Sequence, residues 1–278
     1  MPELPEVETV CRGLGKAITG KKISSITVRR RKLRIPIPAH FEKTLTGRKI
    51  TGIRRRAKYV IMDMDGGISS IWHLGMSGSM TVSTLTPEPA KHDHVIFRAG
   101  GKTITFNDPR RFGLVTMDKT ANLAQNKIFR HLGVEPLEKI FDGKYLFKKL
   151  QPKKIAIKLA IMDQRTVVGI GNIYASEALF RAKISPLRKS CDLTPQETSR
   201  LVAAVKFVLK SAIAAGGSSL RDYVQTDGEL GYFQHKWAVY GKDGKPCPGC
   251  SCAIAKTGGI TKTVQGGRAT FYCPIRQH

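Results

Sequence analysis

The sequence lacks the features of a membrane or secreted protein. No stretch of its 278 residues approaches the ~20 consecutive apolar residues that a membrane-spanning helix needs. Its acidic beginning, with Glu3 and Glu6, is unlike the basic start of a signal peptide. We therefore expect a cytoplasmic chain with no membrane association.

Cysteine is also scarce, with six residues in the whole chain. They are too few and too unevenly placed for a disulfide scaffold. Two stand alone, Cys11 and Cys191, whereas the other four crowd the C-terminal part, at Cys247, Cys250, Cys252 and Cys273. This distribution indicates a reducing compartment and a metal site near the C-terminus.

Acidic residues are outnumbered, 21 against 47 basic ones, which gives a net charge of +26. Solubility alone needs much less charge than this, so we expect a polyanionic partner. Residues 29–34 (RRRKLR) and 54–56 (RRR) are the predicted contact runs. Either run alone is typical of a solvated surface. A membrane surface is the weaker alternative, because no basic amphipathic helix with a bulky apolar face is evident.

The first residues suggest nucleophilic chemistry. Removal of Met1 would leave Pro2 as a secondary amine, and an α-amino group titrates near pH ~8. Attack of this amine on an aldehyde or sugar C1′ carbon would give an iminium ion, with Glu3 as acid/base partner. The alternative is a frayed terminus. Pro5 and the apolar spacing over residues 7–14 instead predict a docked helix that begins here.

The remaining pattern predicts an α+β, multidomain chain. Residues 23–117 are strand-rich, with hairpins over Ile50–Met64 and Ile68–His73 and over His94–Arg98 and Lys102–Phe106, which suggests a β-sandwich carrying the N-terminal helix. Because the alternation is imperfect, the residues alone leave a β-barrel as the alternative. Beyond residue 152 the pattern is helical, with helices over Ile155–Met162 and Ile173–Ala182 and a capping box over Thr194–Glu197. Residues 216–233 form a polar predicted loop before the cysteine-rich tail.

Two motifs suggest ligand binding. Gly169–Asn172 precedes a helix with Asn172 as its predicted cap, a pattern consistent with phosphate binding or with a plain turn. In the tail, Cys247, Cys250 and Cys273 resemble the knuckles of a zinc site, which needs four ligands. Position 276 is arginine, so His278 is the first candidate for the fourth ligand and Cys252 the second. A hairpin with reduced cysteines and no metal is the alternative.

Together, the ordered motifs resemble the bacterial formamidopyrimidine-DNA glycosylases, which remove oxidised purines from DNA. The matching segments are MPELPEVETV at 1–10, RRRAKY at 54–59, WHLGMSG at 72–78, KHDH at 91–94, NDPRRFG at 107–113, VVGIGNIYASEALF at 167–180 and GGRATFYCP at 266–274. The resemblance implies three domains: a catalytic β-sandwich (1–134), a helix-two-turn-helix domain with a loop that closes over the flipped base (135–236), and a zinc-bearing β-hairpin (237–278). Two departures are Arg276 in place of a cysteine and a stretch between Cys250 and Arg268 that looks longer than usual.

The resemblance also implies roles for individual residues. Pro2 would attack C1′, Glu3 would act as general acid on the sugar, Lys58 would assist base loss and β-elimination, and Arg268 would assist δ-elimination. From the residues alone, Lys58 is equally a phosphate contact. The remaining carried-over positions contact DNA (His92, Arg110, Lys153, Asn172) or fill the void left by the flipped base (Met76, Arg110, Phe112).

The expected activity is base-excision repair by a glycosylase and abasic-site lyase. The expected partner is double-stranded DNA with oxidised purines or abasic sites, bound by a monomer near the nucleoid, with one zinc ion and no organic cofactor. Two alternatives stay open. One is an endonuclease VIII-like enzyme for oxidised pyrimidines, and the other is a catalytically inactive DNA-binding protein.

Overall fold

The computed structural model of this chain describes residues 1–86, 88–218, 226, 232–251 and 254–278. It divides into two compact units. The first unit comprises Met1–Arg130 and Ala212–Gln234, and the second unit comprises His131–Ser211 and His235–His278. No helix in the described ranges is both long and apolar enough to span a bilayer. Cys252 and most of the predicted 216–233 loop lie outside the described residues.

The first unit is a β-sandwich with two helices. The helices are α1 (Leu4–Ile18) and α2 (Phe41–Leu45), and the strands are β1 (Ile23–Val28), β2 (Ile50–Arg56), β3 (Tyr59–Met64), β4 (Ile68–His73), β5 (Ser79–Ser83), β6 (Asp93–Ala99), β7 (Lys102–Asn107) and β8 (Leu114–Lys119). One antiparallel sheet has the order β1-β6-β7-β5 and the other β2-β3-β4-β8. The predicted sandwich is confirmed, as are the hairpin turns at residues 65–67 and 100–101. The predicted run Ile50–Met64 is instead two antiparallel strands, β2 and β3, joined by a turn at Ala57 and Lys58.

An aromatic core joins the two sheets. The ring of Trp72, on β4, lies 6.0 Å from that of Phe97 and 5.8 Å from that of Phe106, which belong to the other sheet. Phe41 of α2 packs edge-on against the same indole at 5.9 Å. Burial of such large apolar side chains supplies most of the driving force for folding. The sandwich is therefore a rigid support for α1 and for the loops between strands.

Helix α1 packs its predicted apolar stripe into this core, because Val7, Val10, Cys11 and Leu14 are all buried. Burial raises the pKa of the Cys11 thiol to about 12, with a further increase from Glu8. Cys11 is thus an inert part of the core rather than a reactive thiol. The prediction of a docked N-terminal helix is confirmed.

The second unit contains α3 (Gly143–Leu150), α4 (Ile157–Met162), α5 (Asn172–Arg181), α7 (Ile254–Thr257) and the hairpin β9 (Thr261–Gln265) and β10 (Arg268–Tyr272), while α6 (Pro195–Ala214) begins here and ends in the first unit. The predicted capping box of α6 is confirmed: the Glu197 amide donates to Thr194 Oγ1 at 3.2 Å and the Thr194 amide donates to Glu197 Oε2 at 2.9 Å. The prediction of Asn172 as the cap of α5 is wrong, because Gly171 occupies the cap and Asn172 is the first helical residue.

The hairpin packs on α5 within the second unit, through a core of Phe180, Val239, Cys247, Ile260, Phe271 and Cys273. We call residues 247–278 the finger. Glu177, also on α5, accepts the amides of Ala238, Val239 and Tyr240 at 2.8–3.0 Å, which holds the chain that leads into the finger. The helical segment and the finger thus form one compact unit. The resemblance, by contrast, implies two domains here, with boundaries after residues 134 and 236.

Candidate catalytic and nucleic-acid sites

The start of α1 is buried and capped. Pro2 is buried and Glu3 is 2% exposed. The Glu3 amide donates to Glu6 Oε2 at 2.8 Å, and the other oxygen of that carboxylate accepts the Ser218 amide at 2.8 Å. A buried carboxylate that bridges two amides fixes both segments. The nitrogen of Pro2 is therefore held at a defined place in the first unit, and the frayed-terminus alternative does not apply.

Lys58 lies on the turn between β2 and β3 and is 7% exposed. The turn is tight, with Ala57 in the left-handed region at φ 53°. Arg55 donates to the Ala57 carbonyl at 2.9 Å and pairs with Glu8 of α1 at 3.1 Å. This pair fastens the Lys58 turn to α1, so all three predicted catalytic residues of the first unit are buried parts of connected elements.

His73 is a candidate that the sequence analysis did not single out. It ends β4, opposite Tyr59, and its Nδ1 accepts the Gly75 amide at 2.9 Å. Burial, then the charges of Lys58 and Arg34, lower its pKa to about 4. The ring is therefore neutral at pH 7 and carries its proton on Nε2. The motif WHLGMSG contains this histidine, but only the fold brings two cations from distant segments to it.

The predicted void-filling residues lie on two adjoining loops of the first unit. Gly75 has φ 66°, and a Cβ there would lie 2.6 Å from the Gly113 nitrogen, so only glycine permits this approach of the loops. Met76 is 41% exposed and Phe112 is 48% exposed. The Arg110 guanidinium rests 5.0 Å from the centre of the Phe112 ring. The structure thus brings all three predicted residues to one exposed surface.

The KHDH segment has two histidines in different settings. His94 is buried, and its Nε2 contacts the Asp108 carbonyl at 2.8 Å. His92 is half-buried, with its ring 6.3 Å from that of His94. The Asp108 carboxylate in turn accepts the Gly113 amide at 2.7 Å, which holds the Phe112 loop. His94 is therefore structural, while His92 keeps the accessibility that a DNA contact requires.

Two predicted DNA contacts of the second unit are bound to other groups of the protein. Lys153 pairs with Asp163 at 2.8 Å. Although burial opposes the shift, the hydrogen bond from Lys153 lowers the pKa of that carboxyl. Asn172 donates to the Ala269 carbonyl at 2.9 Å and to the Tyr240 hydroxyl at 3.2 Å. These side chains organise the second unit whatever else they contact.

Lys158 is a second residue that the sequence analysis missed. It is completely buried, and its Nζ donates to Asn172 Oδ1 at 2.6 Å, Thr270 Oγ1 at 2.7 Å and the Ala269 carbonyl at 3.0 Å. A buried ammonium needs such acceptors. Lys158 thereby ties α4 to the start of α5 and to β10, which begins at the exposed Arg268. The sequence held one sign of this role, because Lys158 interrupts an otherwise apolar helix.

The predicted metal site contains three thiols. The sulfur atoms of Cys247, Cys250 and Cys273 all lie within 4.8 Å of one another and can hold a metal ion. Burial, and then the neighbouring thiols, raise the pKa of Cys247 to about 12, against a lowering by the Gly249 amide. The donor set suits zinc or another thiophilic ion.

His278 is the first candidate for a fourth ligand. His278 is not among the donor atoms of this cluster. Its carbonyl accepts the Ser185 amide at 2.9 Å and its amide donates to the Lys183 carbonyl at 3.4 Å. The end of the chain is thus bound to the segment after α5, with the His278 side chain exposed. Cys252 is outside the described residues.

A helix-capped β-sandwich and a helical unit with a cysteine-bearing hairpin define a DNA-repair glycosylase of the helix-two-turn-helix class. Residues 1–115 match the formamidopyrimidine-DNA glycosylase N-terminal domain, and residues 132–224 match the H2TH domain of the same family. The chain belongs to the formamidopyrimidine-DNA glycosylase family.

Relatives match over the full length. The chain is 52% identical to the formamidopyrimidine-DNA glycosylase of Rhodospirillum rubrum, covering 100% of both chains. It is also similar to the crystal structure of the MutM (Fpg) protein of Thermus thermophilus, with 36% identity, a TM-score of 0.88 and coverage of 99% and 98%. A complex of Lactococcus lactis Fpg with abasic-site DNA matches at 35% identity and a TM-score of 0.91, covering 99% of each chain.

Proposed function

We propose that this chain excises oxidised purines from duplex DNA and then cleaves the strand at the resulting abasic site, with Pro2 as the nucleophile. The observation that carries the proposal is the buried Pro2–Glu3 pair at the capped start of α1, in a chain of this family. A nucleophile cannot reach C1′ inside a stacked duplex, so the damaged nucleotide must first be flipped out.

The chemistry follows from the residues at this end of α1. The Pro2 nitrogen forms a bond to C1′ as the bond from C1′ to the base breaks. The nitrogen gives up its N–H proton, and the departing base takes up one proton, so the charge balances. Glu3 then protonates the ring oxygen, the ring opens, and the adduct becomes an iminium ion. Loss of a C2′ proton expels the 3′ phosphate, and a second elimination, assisted by Arg268, expels the 5′ phosphate. Water then hydrolyses the iminium ion, which releases the unsaturated sugar fragment as an aldehyde and restores the Pro2 amine. The product is a gap with phosphate at both ends.

A phosphate beside His73 would meet positive charge and a hydrogen-bond donor. Lys58 and Arg34 supply positive charge, and the neutral His73 supplies the Nε2 proton. Such a set of residues suits the oxygens of a phosphate, because hydrogen bonds between charged groups are stronger than those between neutral groups. This geometry supports a role for His73 in phosphate binding, together with the phosphate-contact role of Lys58.

The exposed loop residues support insertion into the DNA. Apolar Met76 and Phe112 can enter the space left by the flipped base, and Arg110 can hydrogen-bond the orphaned partner base. His92, Lys153 and Asn172 are proposed as further contacts with the DNA. Lys153 and Asn172 would make these contacts while keeping their hydrogen bonds within the protein.

We also propose that the three thiols bind one zinc ion, with Cys252 as the remaining candidate for a fourth protein ligand. The ion would cross-link the two ends of the finger. Metal analysis of the purified chain should find about one zinc per molecule, as a structural site requires. Cys247→Ser should lose the metal. Purified protein that holds no zinc, or a Cys247→Ser variant that holds as much as the unaltered chain, would contradict this.

Borohydride trapping tests the nucleophile. Reduction should freeze a covalent complex with duplex containing 8-oxoguanine, and peptide mapping should place the DNA on Pro2. Pro2→Gly should trap weakly, and retention of Met1 should abolish trapping. Lys58→Gln is the matched control, because it slows base loss but leaves the amine intact. Trapping that survives a blocked N-terminus would assign the nucleophile to Lys58.

The same assay separates the alternatives. Release of 8-oxoguanine in preference to thymine glycol supports the purine enzyme, and the opposite preference supports an endonuclease VIII-like enzyme. Absence of trapping on both duplexes and on abasic DNA, with DNA binding intact, would identify an inactive DNA-binding protein.

A further inference from the structure

Arg276 occupies the place where a fourth cysteine is expected. Its amide donates to Cys273 Sγ at 3.4 Å, and the Gly249 amide donates to Cys247 Sγ at 3.4 Å. Both turns of the finger therefore point a backbone N–H at a sulfur atom. The second turn keeps this form although its last residue carries a guanidinium.

The guanidinium contacts the opposite turn and a helix. Its Nη1 donates to the Gly249 carbonyl, and its central carbon lies 5.0 Å from the centre of the Phe180 ring on α5. Its Nε is buried and has no hydrogen-bond partner within the described part of the chain. One edge of the guanidinium thus hydrogen-bonds to Gly249, and the group also packs against the ring of Phe180.

Gly249 leaves the space that the guanidinium fills. A Cβ at this position would lie 2.5 Å from Arg276 Cζ, closer than any real contact. Gln277, the next residue, is anchored as well: it accepts the Cys273 amide at 2.8 Å and donates to the Ile184 carbonyl at 2.9 Å. The position of Arg276 is therefore fixed from both sides.

We propose that Arg276 fastens the two turns of the finger to each other and to α5, and that this fastening does not depend on a bound metal ion. Three thiols alone leave a coordination position open, whereas closed structural sites use four ligands. A guanidinium stays charged at any physiological pH and needs no ion. The finger therefore keeps its packing on α5 when the metal is removed.

This role is independent of the chemistry assigned to Pro2, and it is tested without turnover. Hydrogen exchange of the full chain should be measured over residues 261–272, with and without a zinc chelator. In the unaltered chain, chelation should accelerate exchange of this hairpin by less than about threefold. In Arg276→Gln with chelator, exchange should accelerate at least about tenfold, since neither fastening remains. If the purified chain carries no metal, Arg276→Gln should show this loss without chelator.

Three variants sharpen the test. Gly249→Ala should loosen the hairpin like Arg276→Gln, and the double variant should add little, because both changes remove one contact. Lys262→Gln, an exposed charge on β9, is the matched control and should behave like the unaltered chain. Arg276→Cys should release zinc to a chromogenic chelator at least about tenfold more slowly, then lose hairpin protection once the metal is gone.

Two outcomes would overturn the proposal. One is an unaltered chain whose hairpin loses as much protection on chelation as that of Arg276→Gln. The other is an Arg276→Gln chain that keeps full protection after chelation. Either result would mean that the guanidinium does not hold the finger.

Discussion

In the loops of the first unit, Met76 and Phe112 are 41% and 48% exposed, and Arg110 lies on the phenylalanine ring. In the second unit, Lys153 and Asn172 are bound to other groups of the protein. All five were predicted to serve the DNA, yet the first three lie on an exposed surface and the other two are held by internal hydrogen bonds. The comparison teaches that a residue in a DNA-binding motif can contact the DNA, hold its neighbours in place or do both, and that hydrogen bonds within the protein identify the residues that hold their neighbours.

The largest effect should come from Lys158. Lys158→Met removes the proton donor from three buried acceptors, and each unsatisfied group costs ~1–3 kcal/mol. Because Asn172 still donates to one of these carbonyls, we expect a loss of roughly 2–4 kcal/mol in the free energy of unfolding. Urea unfolding measures it. Lys206→Met is the control, since the Lys206 ammonium makes an exposed hydrogen bond to the Glu138 carbonyl. Equal stability of the two variants would show that the hydrogen bonds of Lys158 do not stabilise the second unit.

A smaller, pH-dependent effect should come from Glu197. The hydrogen bond from Arg188 lowers the pKa of this carboxyl from 4.5 to about 2, against desolvation and with help from Thr194. A lowered pKa means stability that is complete above pH ~4.5 and is lost as the pH falls towards 2. Glu197→Gln should cost roughly 1–2 kcal/mol at pH 7, because solvent screens this partly exposed pair. Denaturation at pH 7 and pH 3 should show the difference shrinking; a constant difference would contradict the ion-pair explanation.

Arg110 should affect recognition rather than stability. A guanidinium offers donors only, and an unpaired cytosine presents two adjacent acceptors, whereas adenine sets a donor beside its acceptor. Losing such a paired contact costs ~1–3 kcal/mol, or roughly tenfold to a hundredfold in rate. Excision of 8-oxoguanine should therefore be faster opposite cytosine than opposite adenine, and Arg110→Ala should narrow the gap. Single-turnover excision on both duplexes is the measurement. A gap that is unchanged in Arg110→Ala would show that another residue reads the base.

The smallest effect on folding should come from Phe112. Because its ring is already half exposed, Phe112→Ala should change the free energy of unfolding by less than ~0.5 kcal/mol. Excision should nevertheless slow, since the alanine cannot fill the void. Thermal denaturation and single-turnover excision are compared on one preparation. A large loss of stability would show that Phe112 has a structural role, like Lys153 and Asn172.

The sequence analysis succeeded where a pattern has one physical solution. The glycine-containing turns at residues 65–67 and 100–101, set between strand-rich runs, yielded the two hairpins, and the apolar spacing after Pro5 yielded a helix that buries the predicted stripe. It failed at Asn172, because a polar residue at the start of a helix can either cap that helix or hydrogen-bond to another part of the protein. The side-chain amide of Asn172 accepts from Lys158 and donates to the Ala269 carbonyl, and both partners lie outside α5.

By itself, the sequence determined the strands, the helices, the polyanionic partner and the set of reactive residue types, because these depend on local periodicity and on total charge. Only the tertiary structure decided which side chains are exposed and which are held inside. The low pKa of His73, the burial of Lys158 and the guanidinium of Arg276 on Phe180 all arise from groups far apart in the chain. Electrostatics and hydrogen bonding act over a few ångströms in space, and the distance between two residues in space is set by the fold rather than by their separation along the chain.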